Sequence, residues 1–132
     1  MTEREFTLEQ ARELVPWLSQ IFHRLERPRT RARHLGAVVK ELQGKINGNG
    51  GGSSQGQLHR QRRELRDVSA EIEAAVSEIR ERGILVKGVE PGLVDFPHQR
   101  DGRQVYLCWR EGEPEIAFWH DIDTGFAGRQ PL

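Results

Sequence analysis

The chain has 132 residues and a balanced charge, with 20 Lys and Arg against 20 Asp and Glu. This length fits one domain, residues 1–132, that can bury a core without disulfides. The single cysteine, Cys108, excludes an internal disulfide framework and a four-cysteine zinc site. No apolar run approaches the ~20 residues of a membrane span, and the first residues contain no signal core. We therefore expect a cytoplasmic protein with no membrane association.

A first helix is predicted over residues 7–46. Thr7 and Gln10 have the spacing of a capping box, which closes the first turn. Apolar residues then recur in steps of three and four, as in a heptad seam. Pro16 and Pro28 interrupt this pattern and predict kinks near both positions. The seam consists of Ala11, Leu14, Leu18, Ile21, Leu25, Ala32, Leu35, Val39, Leu42 and Ile46.

A second helix with the same seam is predicted over residues 57–82. The segment between the helices, residues 47–56, is rich in Gly and Asn, which predicts a flexible loop. Two matching seams joined by a loop predict a long antiparallel helical hairpin of coiled-coil character. An exposed seam favours self-association, so we expect a homodimer through this hairpin.

The strands are predicted over residues 84–120, followed by a polar tail, residues 121–132. Asp101-Gly102 is the preferred pair for a two-residue type I′ turn, and a pivot there places Phe96 opposite Leu107. A β-hairpin is therefore predicted at this turn.

A second connection, residues 111–114, predicts the pairing of the third strand. A pivot there places Val105 opposite His120 and leaves Cys108 and Trp119 on the other face. The fold class is thus α+β, with the helical hairpin packed on a small three-stranded antiparallel meander. The predicted core face contains Val94, Phe96, Val105, Leu107, Trp109, Ile116 and Phe118.

Two stretches of the sequence resemble a known family. "EPGLVDFPHQRDGRQVYLCWREGEPEIAFWHDIDTGFAGRQPL", residues 90–132, and "FTLEQARELVPWL", residues 6–18, are similar to family 2203 of the domains of unknown function, which is found in prokaryotes. The middle of the chain shares only the helical character of that family. The resemblance implies no activity, cofactor or catalytic residue, because the family is uncharacterised.

A divalent metal ion is the first candidate ligand. On the predicted register His98 and His120 lie on either side of Val105, so both imidazoles could reach one ion, with Glu9 or Glu13 completing the site. The alternative is that both histidines border the core without binding anything. The full set of candidate ligands is His98, His120, Asp121, Asp123, Glu9, Glu13 and Glu90.

The stretch Asp121-x-Asp123-x-Gly125 has the opening of a calcium-type loop. The third acidic position and the final Glu of such a loop are missing. A turn in which Asp side chains accept hydrogen bonds from backbone N–H groups explains the stretch as well.

The other sheet face and the tail hold the candidate residues for an organic ligand: Asp95, Arg110 and Arg129. Arg129 could clamp a carboxylate or phosphate, or pair with Asp121 or Asp123 to pin the tail. Cys108 lies on this face, and the predicted register places both nearby histidines on the opposite one. That arrangement argues against a cysteine nucleophile.

The basic run from Arg24 to Arg33 could contact phosphate, but charge runs are usually solvated helix faces. The neutral total charge and the lack of a recognised module argue against nucleic-acid binding. We therefore predict a small cytoplasmic binding or interaction protein with no complete catalytic set. The alternative is a protein that binds a divalent metal or small ligand at the His98/His120 end of the sheet, a site that could also serve a metal-dependent enzyme.

Overall fold

The computed structural model describes residues 4–49 and 52–132. In these residues four α-helices precede a five-stranded antiparallel sheet, so the predicted α+β class is confirmed. The predicted three-stranded meander is too small, because a further strand pairs at each edge. The helices are α1 (Leu8–Glu13), α2 (Val15–Arg24), α3 (Glu26–Asn49) and α4 (Gly52–Arg80), and the strands are β1 (Leu85–Val89), β2 (Gly92–Arg100), β3 (Arg103–Arg110), β4 (Phe118–Asp121) and β5 (Gln130–Pro131).

The contacts divide the chain into two compact units. Unit 1 consists of Met1–His23 and Val76–Leu132, and unit 2 consists of Arg24–Ala75. Unit 1 thus holds the sheet with α1 and nearly all of α2, and unit 2 holds α3 and most of α4. Across residues 4–49 and 52–132, no helix combines the length with the apolarity that a bilayer span requires.

The predicted first helix, residues 7–46, is divided into α1, α2 and α3. Helix α1 ends at Glu13 with Leu14 as its C-cap. Pro16 and Pro28 lie in the first turns of α2 and α3. The N–H groups of a first turn have no helical partner, so proline costs little there, whereas inside a continuous helix it removes a hydrogen bond and clashes. The two prolines therefore sit where new helices begin.

The predicted capping box at the start of α1 is confirmed. Thr7 Oγ1 accepts a hydrogen bond from Gln10 N at 3.1 Å, and Gln10 Oε1 accepts one from Thr7 N at 2.9 Å. Two backbone donors at the helix start are satisfied in this way.

The glycine-rich segment, residues 47–56, is more helical than its composition predicts. Helix α3 extends to Asn49 and α4 begins at Gly52, while Gly50 and Gly51 lie outside the described residues. A helix that has already formed gains one hydrogen bond per added residue, and an interior glycine costs only about 1 kcal/mol relative to alanine. Composition alone therefore overestimates the length of the loop.

Unit 2 buries its apolar seam only in part. Its two helices contact each other through polar side chains: Arg62 Nη2 donates to Gln43 Oε1 at 2.5 Å, and Arg31 pairs with Glu64. The buried seam residues are Leu25, Leu35, Leu42 and Leu58, and the half-buried ones include Val39, Ile46, Leu65, Val68 and Ile72.

The β2–β3 hairpin has the predicted register, with Phe96 opposite Leu107. Asp101 and Gly102 form its turn with φ of 52° and 80°. Two positive φ values are the mark of a type I′ turn, whose twist matches that of the paired strands. The backbone preferences of Asp101 and Gly102 were therefore enough to predict the register of this hairpin.

The predicted pairing of β3 with β4 is wrong by one residue. The sequence predicts Val105 opposite His120, whereas His120 is opposite Tyr106. The connection is longer than the predicted four residues, 111–114, and occupies residues 111–117. A shift of one residue turns every side chain of a strand to the other face.

The corrected register defines the two faces of the central strands. His120 joins the face of Cys108, and Trp119 joins the face of Leu107. Phe118 also leaves the predicted core face. The core face contains Val94, Phe96, Val105, Leu107, Trp109 and Trp119, and the polar face contains Asp95, Tyr106, Cys108, Arg110, Phe118 and His120.

The amino-terminal segment and α2 pack on the core face, as the sequence predicts for this part of the chain. Phe22 meets Trp109 with ring centroids 6.2 Å apart, and Phe6 meets Phe96 edge to face at 5.2 Å. A β-carbon at Gly92 would lie 2.7 Å from the Phe22 ring. Glycine is therefore required where α2 approaches the start of β2.

Candidate functional site

The observed β3–β4 register places three chemically different side chains together on the polar face. Asp95 and Cys108 are direct partners across β2 and β3, and His120 follows on β4. Their exposed fractions are 2%, 0% and 2%. One potential ligand atom from each residue lies within 4.8 Å of the other two. We call these three residues the Asp–Cys–His cluster.

Two hydrogen bonds fix the imidazole of His120. Nδ1 lies 2.8 Å from the carbonyl oxygen of Asp121, and Nε2 lies 3.0 Å from Oδ1 of Asp95. A carbonyl oxygen can only accept, so Nδ1 carries a proton and donates it. One further proton lies between Nε2 and the Asp95 carboxyl, on either atom. The pair as a whole is then electrically neutral, which allows it to be buried.

Cys108 is held as a neutral thiol. Burial, and then the negative charge of Asp95, raise the pKa of the Cys108 thiol to about 12, although the Arg129 guanidinium opposes them. Cys108 and His120 both hydrogen-bond to Asp95. The sequence-based reason for rejecting a cysteine nucleophile was wrong, because His120 does share this face. The raised pKa of Cys108 is a different argument against a cysteine nucleophile, because the thiolate is the reactive form of cysteine.

Arg129 covers this part of the polar face from the carboxy-terminal segment. Its Nη2 donates to the carbonyl oxygen of Cys108 at 3.2 Å and to Glu113 Oε1 at 2.6 Å. Its guanidinium lies between the rings of Phe118 and Phe126, 4.2 and 4.7 Å from their centroids. Asp121 and Asp123 were the ion-pair partners of Arg129 considered from the sequence, whereas in the structure Arg129 pairs with Glu113.

The Arg129–Glu113 pair shifts both titrations. Burial would raise the pKa of Glu113, but hydrogen bonds from the Arg129 guanidinium and the Arg110 N–H outweigh it, and the net pKa is lowered. Burial would lower the pKa of Arg129, but the hydrogen bond to Glu113 outweighs it, and the net pKa is raised. Both groups are therefore charged at neutral pH. Arg129 Nε is buried without a hydrogen-bond partner.

Comparison with known proteins adds a family to this geometry. The uncharacterized conserved proteins called DUF2203 match residues 4–132, which is nearly the whole chain. The chain belongs to this family. The resemblance inferred from residues 6–18 and 90–132 is thus confirmed. No curated protein and no solved structure matches the chain.

Within this family member, His98 and His120 lie on opposite sheet faces, so the predicted two-histidine site is not assembled. His98 Nδ1 donates to the carbonyl oxygen of Phe6 at 2.7 Å. Phe6 N in turn donates to the carbonyl oxygen of Pro97 at 2.7 Å. His98 therefore anchors the amino-terminal segment to the edge of the core face.

The acidic candidates are dispersed. Glu9 and Glu13 are exposed on α1, and Glu90 is exposed beside the sheet. None of these three belongs to the Asp–Cys–His cluster.

The Asp121–Gly125 stretch forms a turn. Thr124 N donates to the carbonyl oxygen of Asp121 at 3.3 Å, and the Asp121 carboxylate pairs with Arg103 at 2.7 Å. Asp123 is exposed. The stretch is thus a turn closed by a backbone hydrogen bond, and the Asp121 carboxylate binds Arg103 rather than the backbone N–H groups of the turn.

Proposed function

We propose that this protein binds a divalent transition-metal ion, with zinc as the reference ion, through Asp95, Cys108 and His120. The observation that carries the proposal is the convergence of a carboxylate, a thiol and an imidazole from three adjacent strands within 4.8 Å. Oxygen, sulfur and nitrogen ligands of this kind suit Zn²⁺. Three protein ligands would leave the fourth position of a tetrahedral ion for water, as in catalytic zinc sites.

The orientation of His120 supports this role. A metal-binding histidine usually donates its second N–H to a carbonyl or carboxylate, which fixes the tautomer and the ring direction. Nδ1 of His120 is committed in this way to the carbonyl oxygen of Asp121. Nε2, the atom on the side of Asp95, would then be the ligand atom.

The charges of the cluster also balance. Without metal, Cys108 is a thiol and one proton lies between Asp95 and His120. With metal bound, the thiolate and carboxylate are ionised and the imidazole is neutral. One divalent ion replaces two protons, and the buried net charge is zero in both states. A metal overcomes the high thiol pKa because it deprotonates a coordinating thiol outright.

Arg129 does not oppose this exchange. Its positive charge is already paired with Glu113. Its hydrogen bond and its charge both favour the ionised form of Cys108. Arg129 would therefore stabilise a metal-bound thiolate from outside the ligand set.

Metal content and competition for Zn²⁺ test the proposal. The purified chain, without a histidine tag, should contain up to one zinc per molecule by elemental analysis. After removal of the metal, Zn²⁺ affinity against a coloured chelator should fall more than about 100-fold in Cys108→Ser and in His120→Gln. His98→Gln is the matched control, because His98 lies on the same sheet but on the other face.

The control separates the two possible histidine sites. Equal losses in His98→Gln and His120→Gln would favour the site predicted from sequence over the cluster. A folded chain that takes up no zinc would contradict the proposal.

We also infer self-association through unit 2, because part of its apolar seam stays half-buried, including Val39, Leu65 and Val68. Helices with an exposed apolar stripe usually bury it against a partner. Sedimentation equilibrium should show a dimer that Leu65→Glu dissociates. A monomer at the highest soluble concentration would exclude this second function.

A further inference from the structure

A separate cavity of about 350 Å³ opens on unit 1. It lies between the β1–β2 turn, the end of β3 and the short 3₁₀ turn Phe126–Gly128. Leu93 and Arg110, two of its lining residues, are direct partners across β2 and β3. They lie on the polar face, each two positions from the Asp–Cys–His cluster. The lining residues are Gly88, Glu90, Pro91, Leu93, Arg110 and Phe126.

The walls of this cavity are largely apolar. Pro91, Leu93 and Phe126 contribute a ring, a branched chain and an aromatic face. Phe126 is 43% exposed, although it is one of the large apolar side chains of the chain. Arg129 stacks on Phe126 at 4.7 Å and holds it in place. A fixed aromatic ring at the mouth of a concave site is a ready contact for the apolar body of a ligand.

Arg110 supplies a positive charge to the same cavity. The two carboxylates that follow it in the chain, those of Glu111 and Glu113, accept hydrogen bonds from groups other than the Arg110 guanidinium. Glu111 Oε1 accepts from Gly92 N at 2.9 Å, and Glu113 Oε1 accepts from the Arg110 backbone N–H at 2.7 Å and from Arg129. The exposed guanidinium of Arg110 is thus placed to receive a planar anion from solution.

Glu90 limits how much negative charge the ligand can carry. Glu90 and Arg110 both line the cavity, and their formal charges sum to zero. A doubly charged anion would meet repulsion that a singly charged one largely avoids. The cavity therefore favours a monoanion over a phosphate monoester.

We propose that this cavity binds a small organic monocarboxylate, with its carboxylate on the Arg110 guanidinium and its apolar body against Pro91, Leu93 and Phe126. The volume is near the lower end of the usual range of ligand cavities, roughly 300–1,000 Å³. The site uses none of the three metal-binding side chains. Its test can therefore fail or succeed whatever the outcome for zinc.

Amide chemical shifts measured by NMR during titration of the full chain test this proposal. Benzoate, 1-naphthoate and hexanoate serve as probes, benzamide as the neutral counterpart of benzoate, and phenyl phosphate as the dianion. Benzoate in the millimolar range should shift the amides of Gly88, Leu93 and Phe126, and should bind more tightly than benzamide or phenyl phosphate.

Variants assign the carboxylate to one residue. Arg110→Gln should weaken benzoate binding about tenfold while leaving benzamide unchanged, since a charge-assisted pair is lost. Arg110→Lys should retain part of the affinity, and Phe126→Ala should weaken both ligands. Arg60→Gln, at an exposed arginine of unit 2, is the matched control and should change nothing.

Three results would overturn the proposal. The first is equal binding of benzoate and benzamide, or benzoate binding that Arg110→Gln leaves intact. The second is the absence of shifts at the cavity amides with all three carboxylates. The third is tighter binding of phenyl phosphate than of benzoate.

Discussion

At the centres of the two sheet faces, side chains are buried to the same extent but differ in chemistry. On the core face Phe96 and Trp109 are fully buried against apolar neighbours. On the polar face Asp95, Cys108 and His120 are as deeply buried, in a network of polar contacts. Apolar burial stabilises the fold directly, whereas a buried polar network often contributes no more than apolar residues of similar size. The burial of Asp95, Cys108 and His120 therefore has no clear advantage for stability, which agrees with the proposal that these three residues bind a metal ion.

The largest expected effect concerns the core face. Trp109→Ala should lower the free energy of unfolding by about 3–5 kcal/mol, because a large aromatic side chain leaves a cavity. It also removes the hydrogen bond from Trp109 Nε1 to the carbonyl oxygen of Glu113. Urea denaturation followed by circular dichroism measures the change. A loss below 1 kcal/mol would show that this face is not the core.

The next effect concerns the polar face without metal. Asp95→Ala should lower the free energy of unfolding of the metal-free chain by about 3 kcal/mol, since Nε2 of His120 loses its partner in a buried site. The double variant Asp95→Ala, His120→Leu should recover part of this stability, because Nε2 of a buried imidazole is no longer left without a partner. Equal stability of the single and double variants would contradict the coupling.

The pH dependence of zinc affinity follows in size. One ion replaces two protons. Zinc affinity should therefore rise about 100-fold per pH unit over the range, up to neutrality, in which the metal-free cluster holds both protons. The pKa of the Cys108 thiol is raised to about 12, so Cys108 holds a proton throughout this range. Zinc must displace that proton, and lowering the pH therefore weakens zinc binding. Competition titrations across this pH range measure the slope. A tenfold slope would mean that only one proton is released.

The smallest effect concerns Arg129 and Glu113. Glu113→Gln should lower the free energy of unfolding by roughly 1–2 kcal/mol at neutral pH, since a mostly buried charged hydrogen bond is lost. The folded pKa of Glu113 is lowered, so its contribution is complete above the ordinary Glu pKa and disappears as pH falls through the lowered value. The variant and the parent chain should therefore converge in acid. A constant difference would assign the effect to packing alone.

The sequence predicted those parts of the fold that depend on neighbouring residues. Asp101 and Gly102 specify a turn by their own backbone preferences, and the β2–β3 register followed correctly. Thr7 and Gln10 likewise form the predicted cap. The prolines were located correctly as interruptions, since a missing N–H acts within one turn.

The β3–β4 register depends on distant packing and could not be read in the same way. The connecting residues 111–117 contain no pair with a fixed turn type. Phe118 and Trp119 are both aromatic, so alternation permits either of them on the core face. Phe118 lies on the polar face, where Arg129, eleven residues further along the chain, stacks on its ring. The error of one residue in the predicted register placed His120 on the face opposite Asp95 and Cys108, its neighbours in the structure.

The tail was also beyond pattern reasoning. Gln130 and Pro131 pair with β4, and Leu132 N donates to the carbonyl oxygen of Ala117 at 3.0 Å. A strand of two residues carries no periodicity that could be recognised.

The central claim is that Asp95, Cys108 and His120 bind a metal ion, and the absorption spectrum of the Co²⁺-loaded chain tests it most directly. Co²⁺ can occupy a zinc site, and its spectrum depends on the atoms that coordinate it. The account predicts one Co²⁺ per chain and a thiolate-to-cobalt charge-transfer band in the near ultraviolet. Cys108→Ser should abolish that band, His120→Gln should weaken Co²⁺ binding strongly, and His98→Gln should leave the spectrum unchanged. A spectrum without a thiolate band, or one lost in His98→Gln and kept in His120→Gln, would contradict the assignment of the site to the polar face.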